Sequence, residues 1–262
     1  MSDFFGNAAQ ITLQRRIRDR ADRIAAAPVL ANGGRLMVVV DPDKLGWDEV
    51  RALAEEDGVL GLGPGSYAQL AQGISRTFSG GWDWPHWECW SADWPTVEAA
   101  TSATIAARLP HGWQIEAATH PDPTTIAAAQ ALAEACGVAP LPGYYLAGHD
   151  IDSVLVTIRD AGGRVLATAH GDMRYHPDSP MGGTLWAGVV AVDPTARSGG
   201  LGRRANAEAL RAAQNAFGWT RVVEFARPAN ILSSRVIRSC GMALHGDWCV
   251  FVVTPRGMEF TR

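Results

Sequence analysis

Two hydrophobic periods alternate along this chain, one near 3.6 and one near 2, and their boundaries lay out its elements. Over residues 10–27, Ile11, Leu13, Ile17, Ala21 and Ile24 fall near one face with arginines elsewhere, which predicts a helix. RLMVVV (Arg35–Val40) is an apolar strand closed by the turn DPDK. WDEVRALAEE (Trp47–Glu56) reads as a helix, and VLGLGPG (Val59–Gly65) as a strand running into a glycine turn. SYAQLAQGI (Ser66–Ile74) opens another helix, and TVEAATSATIAARL (Thr96–Leu109) reads as one more. Between these two lies GGWDWPHWECWSADWP (Gly80–Pro95), which holds five of the ten tryptophans. Trp82 and Trp84 alternate like strand residues, whereas Trp87, Trp90 and Trp94 recur at helical spacing, so the periodicity leaves this stretch open.

Pro110, His111 and Gly112 make a boundary, and the pattern beyond it is more regular. WQIEAA is a strand, and TTIAAAQALAEACG (Thr124–Gly137) is a helix ending on a glycine. PLPGYYLAG (Pro140–Gly148) is a loop or short helix. DSVLVTIRDAGGRVLATAHGDMRY is a hairpin turning at Asp160–Gly163. The strand TLWAGVVAVDP (Thr184–Pro194) precedes a long helix, GLGRRANAEALRAAQNAFG (Gly200–Gly218). A strand (Thr220–Ala226), a helix (Asn230–Gly241) and a last strand (His245–Pro255) complete the order. No internal repeat stands out. The organisation is α/β, with an N-terminal α/β domain over residues 1–110 and a second domain over residues 111–262.

Composition narrows the function. A hydrophobic fraction of 47% and a charged fraction of 19% are those of an ordinary globular protein. A formal net charge of -4 argues against nucleic acid as a partner. The start, MSDFFGNAAQITLQRRIRDR, turns polar within a few residues and does not read as a secretory leader, and no apolar run is long enough to span a bilayer. Cys89, Cys136, Cys240 and Cys249 form no C-x-x-C pair, and the seven histidines show no metal-ligand spacing, so the expectation is a cytoplasmic protein with free thiols and no metal.

The chemistry concentrates in VVAVDPTARSGGLGRRANAEAL (Val189–Leu210). A strand ends at Pro194, and Arg197, Ser198, Gly199, Gly200, Leu201 and Gly202 lead into a long helix. Backbone N–H groups in such a turn, at a helix N-terminus, cradle an anion. Arg203 and Arg204 sit in the first turn against the helix dipole, a conflict that a bound pyrophosphate would remove. No Gly-Lys-Ser/Thr follows, which excludes a phosphate loop, and the spacing does not match the G-x-G-x-x-G dinucleotide fingerprint.

The motif V-x-V-x-P-x-x-R-x-x-G-x-G from Val190 to Gly202 resembles the acetyl-CoA-binding motif of the GNAT N-acetyltransferase superfamily. A companion motif follows at Asn230, Ser233, Val236 and Gly241, and the strand–helix–hairpin order from residue 112 also fits. The resemblance implies a mixed, mostly antiparallel sheet, splayed between Leu185–Val192 and Thr220–Ala226 and flanked by helices. Acetyl-CoA would be the cosubstrate. Main-chain groups of Val190 and Val192 would hold its arm, amides from Arg197 to Arg203 its pyrophosphate, and Asn230 would touch the arm. The implied reaction is direct attack of an amine on the thioester, with CoA thiolate leaving. The family often carries a tyrosine seven residues after the motif asparagine; Ile237 stands there, so either Ser233, Cys240 or water would protonate the thiolate or it would leave without a dedicated acid.

Glu224 and His170 are candidate bases. His170 and Asp172 alternate on one strand face, and Tyr144 and Tyr145 lie where acceptor-binding loops of similar proteins fall, so Asp172 and the two tyrosines are candidate substrate contacts. The bland alternatives are the solvent-exposed end of a strand or a structural ion pair for Glu224, a polar sheet face for His170 and Asp172, and aromatic packing for the tyrosines. The expected acceptor is a small-molecule amine, with a homodimer compatible with the chain. Acetylation of a protein N-terminus or lysine, or a CoA-sensing module without catalysis, are the alternatives. GLGPGSY (Gly61–Tyr67) is a second glycine turn that raises a degenerate copy of the same fold in the N-terminal domain, but it lacks a preceding V-x-V-x-P-x-x-R and reads better as a structural turn. The tryptophans read chiefly as packing between the two domains, with an aromatic wall of the acceptor pocket as the second option.

Overall fold

The structure is a computed structural model that describes residues 3–258. The predicted first helix is two: α1 (Ala8–Asp19), opened by an Asn7–Gln10 capping box, and α2 (Ala21–Ala25), separated at Arg20, whose backbone leaves the helical region. β1 (Leu30–Asn32) and β2 (Met37–Val39) form a short hairpin, followed by α3 (Pro42–Leu45), α4 (Trp47–Asp57), β3 (Leu60–Ser66) and α5 (Tyr67–Thr77). The tryptophan stretch is extended: β4 (Trp82–Asp83) and β5 (His86–Asp93) precede α6 (Trp94–Ala106), whose N-cap Asp93 accepts from the Thr96 amide at 3.0 Å. Then come β6 (Gln114–Ala118), α7 (Pro123–Ala135), α8 (Gly143–Leu146), β7 (Ser153–Arg159), β8 (Val165–Asp172) and β9 (Thr184–Val192). The chain continues through α9 (Leu201–Phe217), β10 (Arg221–Ala226), α10 (Ile231–Ser239) and β11 (Ala243–Pro255).

All these strands join one sheet in the order β1-β2-β3-β11-β5-β10-β9-β8-β7-β6, with β4 pairing β11. Its centre is an exchange: β5, from the first half of the chain, lies between β10 and β11, and β11 lies between β3 and β5. Outward from the antiparallel β5–β11 pair, both directions meet the same relations. An antiparallel neighbour comes first (β3 or β10), then a parallel one (β2 or β9), then an antiparallel one (β1 or β8). The two halves thus repeat one strand plan about a two-fold relation, and the sheet runs through them without a break.

Alternation along each strand sorts side chains between faces. Met37 and Val39 pack with Val50 and Leu53 of α4, while Ala31 and Val40 join Tyr144, Tyr145, Trp186 and Val223 in a central core. Leu185, Ala187 and Val222 pack on α9 with Trp90 and Trp219. Trp94 meets Trp219 edge-on at 5.4 Å, so the tryptophan stretch does knit the first half to the second. The β1–β2 hairpin folds over the central core: Ala31 bridges to Tyr175, the Tyr145 hydroxyl donates to the Asn32 carbonyl at 2.9 Å, and Arg35 Nη1 donates to the Ala139 carbonyl at 2.9 Å. Among the described residues no helix is long and apolar enough to cross a membrane.

Candidate active site

The site begins where two parallel strands part. β9 and β10 pair only at Thr184–Arg221, Leu185–Val222 and Trp186–Val223. Beyond Trp186, β10 stays with β5, while β9 follows β8 and leaves its other edge without a strand partner among the described residues. A bulge between the Thr168 and His170 pairs bends β9 here, with Val189 at φ 52, a conformation that a β-branched residue adopts only at a cost. The bulge also resets the alternation: Leu185 and Ala187 face α9 before it, and Val190 and Val192 face α9 after it.

At the mouth of this fork, the Asp193 side chain accepts from the Thr195 amide at 2.8 Å and holds the turn. Ser198 (φ 72) and Gly200 (φ 76) are both left-handed, and α9 opens at Gly200 with no side-chain cap and no acid in its first turn. The amides of Leu201, Gly202 and Arg203 therefore lack the intrahelical acceptors that later turns have, at the positive end of a 17-residue helix. A Cβ at Gly202 would lie 3.3 Å from Val192 and 3.6 Å from Val190 and Val236, so this glycine lets α9 approach the fork. The cradle fits a pyrophosphate: donors, dipole and backbone conformation agree. Arg197 and Arg203 are exposed at its rim. Arg204 resolves its dipole conflict differently from the sequence expectation. Its guanidinium caps the C-terminal end of α6 through the Thr104 and Ala107 carbonyls (2.5 and 2.8 Å) and pairs with Glu208 at 2.9 Å.

Asn230 is the N-cap of α10, its side chain accepting from the Ser233 amide at 3.1 Å; Ser233 itself is half-buried, and Ile237 is buried in the α9 core. Glu224 is the first β10 residue past the last β9 pair, and it points to the α9 side. It is 3% exposed and accepts from Asn206 Nδ2 at 2.7 Å. Burial, only partly offset by that hydrogen bond, pushes its carboxyl up to about 7. Cys240 stands beside it, its thiol pushed up to about 12 by burial and by the Glu224 charge.

The opposite face carries a row of polar groups. His170 pairs with Gly188, next to the bulge, and its Nε2 lies 3.0 Å from Asp172 Oδ2. Asp172 also accepts from Arg174 Nε and Nη2, both at 2.7 Å. Burial works to raise the Asp172 carboxyl, but the charge and hydrogen bonds of Arg174, with those of His170, outweigh it and hold the group at about 2. His170 Nδ1 and Thr168 Oγ1 are buried without partners, and both residues line a cavity of about 10 Å³ with Val189, room for one water. Tyr145 is buried with its ring centroid 5.8 Å from that of His170. Tyr144 is equally buried but meets Phe4, ahead of α1, and lies under the guanidinium of Arg18 on α1, 4.8 Å away. Sequence reasoning passed over Asn206, Arg174 and Arg35. Arg174 was within reach, because His170, Asp172 and Arg174 continue one period-two series. Among the described residues no three His, Cys, Asp or Glu side chains group closely enough to hold a metal ion.

The fork, the bulge beside it and the uncapped helix behind a glycine turn are joined by a sequence match. Residues 111–242, half of the chain, match the Acetyltransferase (GNAT) family profile. The chain belongs to the GNAT acetyltransferase family. Its fold is shared by a GCN5-related N-acetyltransferase from Kribbella flavida, 18% identical, with 98% of each chain covered and a TM-score of 0.59. A tandem GNAT protein from the clavulanic acid biosynthesis pathway is 14% identical at a TM-score of 0.57, over 87% of this chain and 77% of that one. A putative GNAT-family acetyltransferase from Novosphingobium aromaticivorans is 15% identical at 0.56, over 89% and 92%. These likenesses extend through the first half of the chain, in keeping with the repeated strand plan. No curated protein matches in sequence. A GNAT acetyltransferase takes its acetyl group from acetyl-CoA.

Proposed function

We propose that this GNAT protein is an N-acetyltransferase that acetylates the primary amine of a small molecule by direct attack on the thioester. The observation that carries the reading is the fork: unpaired β9 main chain, opened at a bulge, with the uncapped N-terminus of α9 at its mouth. Bound acetyl-CoA supplies the activated acetyl group. Amides from Arg197 to Arg203 would hold its pyrophosphate, main-chain groups of Val190 and Val192 would align its arm, and Asn230 Nδ2 is left for the arm while Oδ1 caps α10.

On the face beside the bulge, ionised Asp172 accepts from His170 Nε2, which leaves Nδ1, buried without a partner among the described residues, as the ring nitrogen that takes a proton in this reading. His170 is therefore the base of this reading, acting on the amine directly or through one water. Glu224, on the α9 side of the fork, acts with Asn206 in shaping the gap. Ile237 fills the position of the family tyrosine, so the leaving thiolate draws its proton from Ser233 or solvent. A small acceptor is favoured because the β1–β2 hairpin closes over this face, which restricts a folded protein's approach. The free cysteines among the described residues suit a reducing cytoplasm, the setting proposed here.

Thiol release from acetyl-CoA, measured with a panel of small amines and lysine-containing peptides, tests the reading. Release stimulated by small amines is expected. Release with peptides and not with small amines would make the chain a protein acetyltransferase, and tight CoA binding with no stimulated release would make it a CoA-binding module.

A further inference from the structure

The polar row on the His170 face ends in an unbalanced charge. Asp172 is engaged three times, by His170 Nε2 and by Arg174 Nε and Nη2, and none of these contacts reaches Arg174 Nη1. Arg174 is held at 3.7 Å over the Trp186 ring, on the strand that leads to the bulge. Beside it comes Arg35, from the turn of the β1–β2 hairpin. The hydrogen bond given to the Arg35 guanidinium is its donation from Nη1 to the Ala139 carbonyl, and its Nε is buried without a partner. Its neighbours are a second cation, Arg174, and the Tyr145 hydroxyl; among the described residues no carboxylate balances it. Burial, and then the Arg174 charge, lower Arg35 to about 10, as befits a guanidinium missing its counter-ion.

Two guanidiniums, of which only Arg174 has a carboxylate, repel each other in a poorly hydrated place, and an anion between them removes the repulsion. The planar fork of a guanidinium matches a carboxylate. The chain of contacts from Arg174 through Asp172 to His170 ties this place to the bulge. We propose that Arg35, with the Arg174 Nη1 that Asp172 leaves unengaged, binds a carboxylate of the acceptor, so that the preferred acceptors are amines carrying a carboxylate. This rests on the reading above that the His170 face receives the amine. It also gives the first half of the chain a task in the reaction: its hairpin brings the specificity residue to a site whose cofactor elements lie in the second half.

The test uses the full chain with CoA bound and two variants, Arg35→Gln and Arg35→Lys. Acceptors are linear amino acids from glycine to 6-aminohexanoate, each compared with the amine of the same length that lacks the carboxylate. Binding, independent of turnover, is read by calorimetry with N-acetyl-β-alanine against N-propylacetamide. Wild type should bind the carboxylate and prefer carboxylate-bearing acceptors. In Arg35→Gln both should weaken about 10- to 100-fold, the worth of one charge-assisted pair, with the uncharged compounds and CoA affinity unchanged within about twofold. Arg35→Lys keeps the charge and loses the fork, so it should fall between and guards against a folding defect in the glutamine variant. Wild type that binds no carboxylate, or variants that bind as wild type does, would overturn the inference. If carboxylates bind through Arg35 while no amine is acetylated, the anion site stands and the acetyltransfer reading falls. If uncharged amines are acetylated as well as amino acids, the reverse holds.

Discussion

The two halves of the sheet repeat one strand plan and differ most where a phosphate would sit. At the end of β2 the chain reads Val38-Val39-Val40-Asp41-Pro42; at the end of β9 it reads Val190-Ala191-Val192-Asp193-Pro194. Both aspartates cap the turn that follows, Asp41 on the Lys44 amide at 3.0 Å and Asp193 on the Thr195 amide at 2.8 Å. Then the halves part. In the first, strand pairing reaches Val39, two residues before Asp41, and the space ahead is filled by α3 and by Trp47, whose indole occupies the place a Cβ would take at Gly73. Asp48 and Glu49 lie in the first turn of α4 and repel any anion there. In the second, pairing stops at Trp186, seven residues before Asp193, and α9 begins with glycines and no acid. On the reading proposed here, the cofactor site is a property of one turn and one unpaired strand edge, and a fold can be copied without it.

The comparison breaks most decisively if the chemistry is not tied to the second half. His170→Ala should lower kcat about 10²- to 10⁴-fold with CoA affinity unchanged, and an undiminished rate would remove His170 as the base. The next contrast is between β3, LGLGPGS, which carries no charge, and β10, which buries Glu224. Its carboxyl rises from an ordinary 4.5 to about 7 in the fold, so between those values the folded state holds the extra proton and stability falls as pH rises. The loss, on the order of 3 kcal/mol, is complete above pH 7. Glu224→Gln, which still accepts from Asn206, should match wild type in denaturant melts at pH 4 and exceed it at pH 8; equal stability at both would contradict the buried-acid account. The smallest effect tests the shared scaffold: Asp41→Ala and Asp193→Ala should each cost about 1 kcal/mol of stability, while only the second weakens CoA binding.

Much of the second half was legible because its signals are local. The strand ending at Pro194, the glycine turn, the long helix and the asparagine cap each reside within a few residues of one another, and the alternation of His170 and Asp172 put them on one face. The remainder depends on distant contacts. That β5 inserts between β10 and β11 is a pairing across more than a hundred residues, and the spacing of its tryptophans fits helix and strand alike. The reset of alternation at Val189 needs the bulge against Ala169, which no period in TLWAGVVAV announces. The dipole conflict of Arg204 pointed to a bound pyrophosphate because α6, which supplies its carbonyl partners, lies about a hundred residues earlier. Arg35 reaches the site only because the hairpin folds over it. The repeated Val-x-Val-Asp-Pro was present in the sequence all along, too short to mark a repeat without the strand order to align it.

The central claim is that the open fork of the second half, and not its closed copy, holds acetyl-CoA. Calorimetric titration of CoA into the wild-type chain, Gly200→Val and Asp43→Ala tests it most directly. The account predicts one site per chain, weakened about tenfold or more in Gly200→Val, where a β-branched residue must adopt φ 76, and unchanged within about twofold in Asp43→Ala. A second site, or a single site that survives Gly200→Val and is lost in Asp43→Ala, would contradict it.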